Sequence, residues 1–138
     1  MKHSKGFSLI ELMLVVVIIS ILVAMVAPRL MGRSEQAREA AAHADIDGNL
    51  SSAIDLYEVD TGALPRTEDG LDALLERPSG PRAKRWKGPY IKKKPVDPWG
   101  NPYVYRFPGT HGQSYDLFST GADGKERGGD DITSWGEK

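Results

Sequence analysis

The chain has 138 residues, 18 basic against 19 acidic, a formal charge of -1 and no cysteine. That leaves room for one modest core beyond any anchoring segment. It shows none of the bulk basicity of nucleic-acid-binding domains, and it excludes disulfides, thiol nucleophiles and thiolate metal sites. Mean hydropathy is -0.39 although the first quarter is intensely apolar, so the remainder is hydrophilic. Most of the 15 Gly and 9 Pro fall after residue 60 and predict a loop-rich C-terminal half.

Lys2, His3 and Lys5 form a short basic leader ahead of residues 7–27, FSLIELMLVVVIISILVAMVA. A helix of that length covers about 30 Å, the hydrocarbon thickness of a bilayer. The positive-inside tendency keeps the leader cytoplasmic and puts the chain after Ala27 across the membrane. A removed signal peptide and a plain anchor are both open readings. The first lacks a clear small-residue cleavage site after the apolar core, and the helical pattern continues past Pro28. Glu11 is the one formal charge of the segment, and a carboxylate there is costly unless neutralised or paired.

The run Lys5-Gly6-Phe7-Ser8-Leu9-Ile10-Glu11 resembles the N-terminal signal of type IV pilins and pseudopilins. The resemblance implies cleavage between Gly6 and Phe7 by the membrane-embedded prepilin peptidase, with methylation of the new amino terminus at Phe7. It also implies an assembly role for Glu11, whose carboxylate would compensate the amino terminus of a neighbouring subunit in a filament.

From Leu30 to Tyr57 apolar residues recur at helical spacing. Ile46, Leu50, Ala53, Ile54 and Tyr57 form one stripe, which Ala37, Ala40, Ala41 and Ala44 extend backwards. Gly62, soon followed by Pro65, predicts the stop. A helix continuous from Phe7 has about 53 residues and a length of about 80 Å, too long for a domain of this size to cover. Pro28 lacks an N–H and disturbs the ladder. In pilin-like filaments that region can lose helicity on assembly, which extends to this chain as an expectation.

Thr67, Glu68 and Asp69 ahead of Leu71, Leu74 and Leu75 predict a short N-capped helix. The basic run Arg82, Lys84, Arg85, Lys87, Lys92, Lys93 and Lys94 has no acid within it. It reads as a solvated loop, or as an inter-subunit partner of the helix acids Glu35, Glu39, Asp45 and Asp47. Nucleic acid is a poor fit for an extracytoplasmic segment. Residues 103–107, 115–118 and 132–135 are short, aromatic or β-branched, and predict three antiparallel strands laid on the amphipathic half of the long helix.

The later motifs narrow the resemblance. Leu64-Pro65, Trp86, Gly88-Pro89-Tyr90, Asp97-Pro98-Trp99-Gly100-Asn101-Pro102-Tyr103, His111-Gly112 and Gly121-Ala122-Asp123-Gly124 are similar to the major pseudopilin family of type II secretion, the G-type subunits. The family implies an α+β, pilin-like fold. Its division would be a cleaved leader over 1–6, a membrane-spanning or filament-core half-helix over 7–27, an amphipathic half over 28–61 and a periplasmic domain over 62–138. It also implies an inner-membrane, single-pass subunit that polymerises with itself into a periplasmic pseudopilus supporting export of folded proteins. Minor pseudopilins, the prepilin peptidase and the inner-membrane secretion platform would be its partners. Another type IV pilin-like or minor pseudopilin subunit and a membrane-anchored calcium-dependent binding module are the alternatives.

Asp123, Asp130 and Asp131 stand at the two ends of a Gly-rich loop over 121–131. Such carboxylates can converge on a hard cation, but the order is not that of an EF-hand. On spacing alone an acidic turn without metal is the better reading. The family resemblance makes the loop a calcium site, with Asp123, Asp130 and Asp131 as ligands and backbone carbonyls at Thr120 and Gly128 completing the shell. His3, His43 and His111 are dispersed, His111 reads as a turn residue, and Asp97 before Pro98 reads as a turn former. No residue set points to catalysis.

Overall fold

A computed structural model describes residues 6–136, and only the backbone over 27–31. The leader residues 1–5 lie outside the described residues. Contacts divide the chain into two compact units, Met1–Ala37 and Arg38–Lys138.

Helix α1 (Leu9–Ala44) begins in the first unit and runs through Pro28. Its window Leu9–Val26 has a mean hydropathy of 3.1 and none of it is buried within the chain. It is long and apolar enough to cross a membrane. Ser8 stands just before the helix, and its Oγ accepts the Glu11 N–H at 3.2 Å.

The second unit carries the core. Ala42, Ile46, Leu50, Ala53, Ile54 and Tyr57 are its buried helical residues. From Ile46 onward they pack in one cluster with Leu64, Leu71, Ala73, Leu74, Tyr103, Tyr105 and Leu117. The helical path is not uniformly α. Asp45–Leu50 forms a π-helical turn between α1 and α2 (Ser51–Thr61). Ala42, one helical turn before Ile46, continues the buried stripe at ordinary i, i+4 spacing, whereas Ala37, Ala40, Ala41 and Ala44 fall on other faces and are exposed. The expected backward extension is corrected on this point. The π turn is held by Asn49 Nδ2 donating to Asp45 Oδ1 at 2.8 Å and by the Tyr103 hydroxyl donating to Asp45 Oδ2 at 3.0 Å. Helix α2 stops as predicted, with Gly62 left-handed at φ 82° and its N–H on the Glu58 carbonyl.

The short helix is a 3₁₀ turn, Gly70–Leu74, and no side chain caps it. The predicted Thr67 cap is corrected: its hydroxyl donates to the Phe107 carbonyl and accepts the Phe107 N–H, both at 2.8 Å. A tertiary backbone pair outcompetes a local cap. A second 3₁₀ turn, Pro81–Lys84, opens the basic run.

Three strands, β1 (Val104–Arg106), β2 (Asp116–Ser119) and β3 (Ile132–Thr133), form the predicted antiparallel sheet in the order β1-β2-β3. Strands β1 and β3 are shorter than the aromatic pattern suggests, whereas β2 keeps its expected length and starts one residue later. Pairing sets Tyr105 opposite Leu117 and Ser119 opposite Ile132. Chain order thus brings the 121–131 loop out between adjacent strands, and Thr120 leaves β2 directly into it.

Candidate functional site

Two sites were expected, the N-terminal signal and the acidic loop. At the first, Gly6 and Phe7 precede α1, and Phe7 is 81% exposed. Glu11 sits in the first helical turn. Its Oε2 lies 3.5 Å from the Ser8 N–H, while its own N–H reaches Ser8 Oγ. This reciprocal pair is a capping box. The S-x-x-E spacing that signals it is legible at Ser8 and Glu11, and reading Glu11 only as an inter-subunit charge misses it.

The second site lies in the other unit. Asp130 Oδ2 accepts the N–H groups of Ala122 at 2.7 Å and Asp123 at 3.1 Å. The Asp123 N–H is the main influence holding the Asp130 carboxyl below its ordinary value; desolvation opposes it and the Ala122 N–H adds to it. Asp131 Oδ2 accepts the Arg127 N–H at 2.7 Å, with Arg127 left-handed at φ 62°. Asp123 Oδ1 accepts the Lys125 N–H at 2.8 Å. Two glycines make the closure possible. A Cβ at Gly121 would collide with the Asp130 carbonyl, and one at Gly128 with the Asp123 carboxylate.

One oxygen of each late carboxylate is therefore anchored by backbone donors. The other is not: Asp130 Oδ1 and Asp131 Oδ1 are buried with no hydrogen-bond partner. Buried polar atoms are almost always partnered, and an orphaned carboxylate oxygen is a hard donor of the kind calcium takes. Thr120, at the end of β2, is 7% exposed and Gly128 lies against Asp123. Among the described residues no three acidic or imidazole side chains form a ready ligand group by themselves. The feature that fits a hard cation such as calcium is the pair of orphaned oxygens on Asp130 and Asp131.

Asp97, expected as a turn former, is one: its Oδ1 accepts the N–H groups of Trp99 at 3.0 Å and Asn101 at 2.8 Å. His111 is more than a turn residue. Its ring stacks on Trp135 at 3.9 Å and 4°, and its Nδ1 lies 3.0 Å from Asp116 Oδ2. In the basic run, Lys87 Nζ pairs with Asp60 at 3.1 Å and Lys94 Nζ with Asp72 at 3.2 Å, both within the chain. Of the helix acids expected to meet that run, Asp45 is engaged by Tyr103 and Asn49, and Asp47 lies 3.7 Å from His43.

An apolar, prepilin-type start on a long helix, with a small α+β unit on the helix's later part, defines a pilin-like protein. The Prokaryotic N-terminal methylation motif matches residues 1–27, and the family Type II secretion system (T2SS), protein G matches residues 29–135. The type II secretion system core protein G of Pseudomonas aeruginosa is 50% identical over 139 residues, covering 97% of this chain and 96% of its own length. That of Escherichia coli K12 is 47% identical over 134 residues, covering 96% and 91%. The crystal structure of the major pseudopilin from the type 2 secretion system of enterohaemorrhagic Escherichia coli matches with a TM-score of 0.68 and 36% identity, over 78% of this chain and 95% of that one. The chain belongs to the protein G family of the type II secretion system, as a membrane-anchored pseudopilin.

Proposed function

We propose that this chain is a non-enzymatic structural subunit that polymerises with copies of itself into the pseudopilus supporting export of folded proteins across the outer membrane. The observation that carries the reading is the uncovered window Leu9–Val26, none of it buried, on a chain whose 38–138 unit has its own core. An apolar helix of that length is covered by lipid first and by like helices afterwards.

In this reading the basic leader stays cytoplasmic and the C-terminal domain is periplasmic, anchored in the inner membrane by one pass. The prepilin peptidase cuts between Gly6 and Phe7, and Phe7 is methylated. Glu11 then compensates the charged amino terminus of a neighbour. Minor pseudopilins and the inner-membrane platform are the further partners. Calcium is held by Asp123, Asp130 and Asp131 with the carbonyls of Thr120 and Gly128, and when bound it supplies the charge that satisfies the orphaned carboxylate oxygens. The chain's own contribution is a loop shaped in advance by backbone N–H donors.

The test is processing followed by assembly. Incubation of the full chain with a prepilin peptidase removes a mass equal to residues 1–6, and electron microscopy of the processed protein in a reconstituted secretion system shows filaments. A cleaved protein that never forms filaments would mark an anchored binding module instead.

A further inference from the structure

The 121–131 loop is joined to a second, more deeply buried polar cluster. Asp97 is 4% exposed and Ser119, at the end of β2, is fully buried. Ser119 Oγ donates to Asp97 Oδ2 at 2.6 Å and accepts the Gly121 N–H at 3.1 Å. Asp97 Oδ1 accepts the Trp99 and Asn101 N–H groups, and the Asp97 N–H donates to the Asn101 carbonyl at 2.8 Å. These bonds close the 97–101 turn and hold the Asn101 backbone in place. Asn101 Nδ2 in turn donates to the Gly121 carbonyl at 2.9 Å, and its amide lies against Gly124. The backbone of Gly121 is thereby held on both sides, its N–H by Ser119 and its carbonyl by Asn101.

We infer that Asp97, Ser119 and Asn101 form a platform that holds the 120–124 arc in its cation-ready shape, so that Asn101 is a positioning residue for calcium without touching it. This rests on the calcium reading of the loop. The arc carries Thr120 and Asp123, and Gly121 packs against Asp130, so displacing Gly121 moves ligands on both arms. Partners outside the ligand set set the geometry and basicity of a metal's ligands, and their loss typically costs ten- to hundred-fold in metal affinity. A buried network of this kind holds its shape because each member leaves another unsatisfied when removed. Asn101 is the member to test: its side chain contributes one bond to Gly121, whereas its backbone keeps the bonds to Asp97.

The experiment measures calcium affinity by titration calorimetry on the full chain in detergent, with thermal unfolding in excess EGTA alongside. Asn101→Ala weakens calcium binding by about ten-fold or more, while its melting temperature in EGTA falls far less than its melting temperature in calcium. Asn101→Asp keeps the side-chain shape and adds negative charge but removes the donor to Gly121; it also weakens binding, whereas a role for charge alone would tighten it. Wild-type affinity in Asn101→Ala, equal thermal losses with and without calcium, or tighter binding by Asn101→Asp each overturn the platform and leave the calcium site standing. A wild-type chain that takes up no calcium overturns both.

Discussion

Ser8 and Glu11 cap one another at the start of α1, the Glu11 N–H on Ser8 Oγ at 3.2 Å and the Ser8 N–H 3.5 Å from Glu11 Oε2. The carboxylate thus has a partner within its own chain before any neighbour arrives. On the proposed function a second role is superimposed on this acceptor for a helix terminus, that of a negative charge for a neighbour's amino terminus.

Conservative replacement separates them. Glutamine also serves at the third position of a capping box but carries no charge. Glu11→Gln is expected to insert and be cleaved normally yet give as little filament as Glu11→Ala, because the charge pair forms in a low-dielectric bundle where an unpaired partner is costly. Ser8→Ala removes only the cap, worth about 1 kcal/mol, and keeps most of the filament yield. Filaments sheared from cells and quantified against cleaved subunit decide between them. Wild-type yield from Glu11→Gln would leave capping as the whole role of Glu11.

The orphaned Oδ1 atoms of Asp130 and Asp131 lead to a second expectation. A ligand that binds only the folded state adds about 2.7 kcal/mol at a hundred-fold excess over its dissociation constant. For a domain of this size that corresponds to roughly 10–20 °C in melting temperature. Excess EGTA should lower the melting temperature of the full chain in detergent by about that amount. Asp123→Ala should melt at one temperature whether calcium is present or not. Identical wild-type melting in calcium and EGTA would remove the cation from the account.

The architecture was legible because its signals are long or strongly periodic: the apolar window, the Ile46-to-Tyr57 stripe, Gly62, and three aromatic strand cores. What local pattern did not reveal was tertiary. Thr67 has a cap's composition, but Phe107, forty residues away, takes its hydroxyl on both backbone groups. The π turn at Asp45–Leu50 leaves no compositional mark beyond Gly48, since Tyr103 and Asn49 hold it through Asp45. At the acidic loop the carboxylates were readable by type and order. Their support by Asn101 and Ser119 was not, because it joins groups some twenty residues apart in the chain.

Asp116 makes the fold sensitive to acid. It is 1% exposed and accepts from the Thr110 N–H at 3.0 Å, the Thr110 hydroxyl at 2.7 Å and the His111 N–H at 3.3 Å, with His111 Nδ1 at 3.0 Å. Burial pushes its carboxyl up, but these donors together outweigh burial and hold it below the ordinary value. A folded value below the unfolded one means the stabilisation is complete above the unfolded carboxyl range, near pH 4, and is lost as pH falls through the folded value. Melting temperature should therefore decline as pH drops from about 5 to 3. Asp116→Asn should flatten that decline and cost about 2 kcal/mol at pH 7, because an amide N–H₂ then faces donors. Melting curves across that range check both, and an unchanged acid limb in the variant would exonerate Asp116.

Lys87 tests whether the basic run is an inter-subunit element. Its Nζ lies 3.1 Å from Asp60 Oδ1, and the Tyr90 hydroxyl donates to Asp60 Oδ2 at 2.9 Å while accepting the Lys87 N–H at 3.1 Å. The Lys87 side-chain bond, followed by that from Tyr90, holds the Asp60 carboxyl below its ordinary value. Asp60 lies in the last turn of α2, where a negative charge opposes the helix dipole, so a cation at this position has a local purpose. The Lys87 side chain is nevertheless 75% exposed, and exposed pairs contribute little to stability. Lys87→Glu should accordingly shift the melting temperature by no more than about 5 °C, and adding Asp60→Lys should recover that shift. Filament yield separates the two partners. If yield falls in Lys87→Glu and returns with Asp60→Lys, the contact is internal to each subunit. Recovery with Asp47→Lys, and none with Asp60→Lys, would move the contact between subunits.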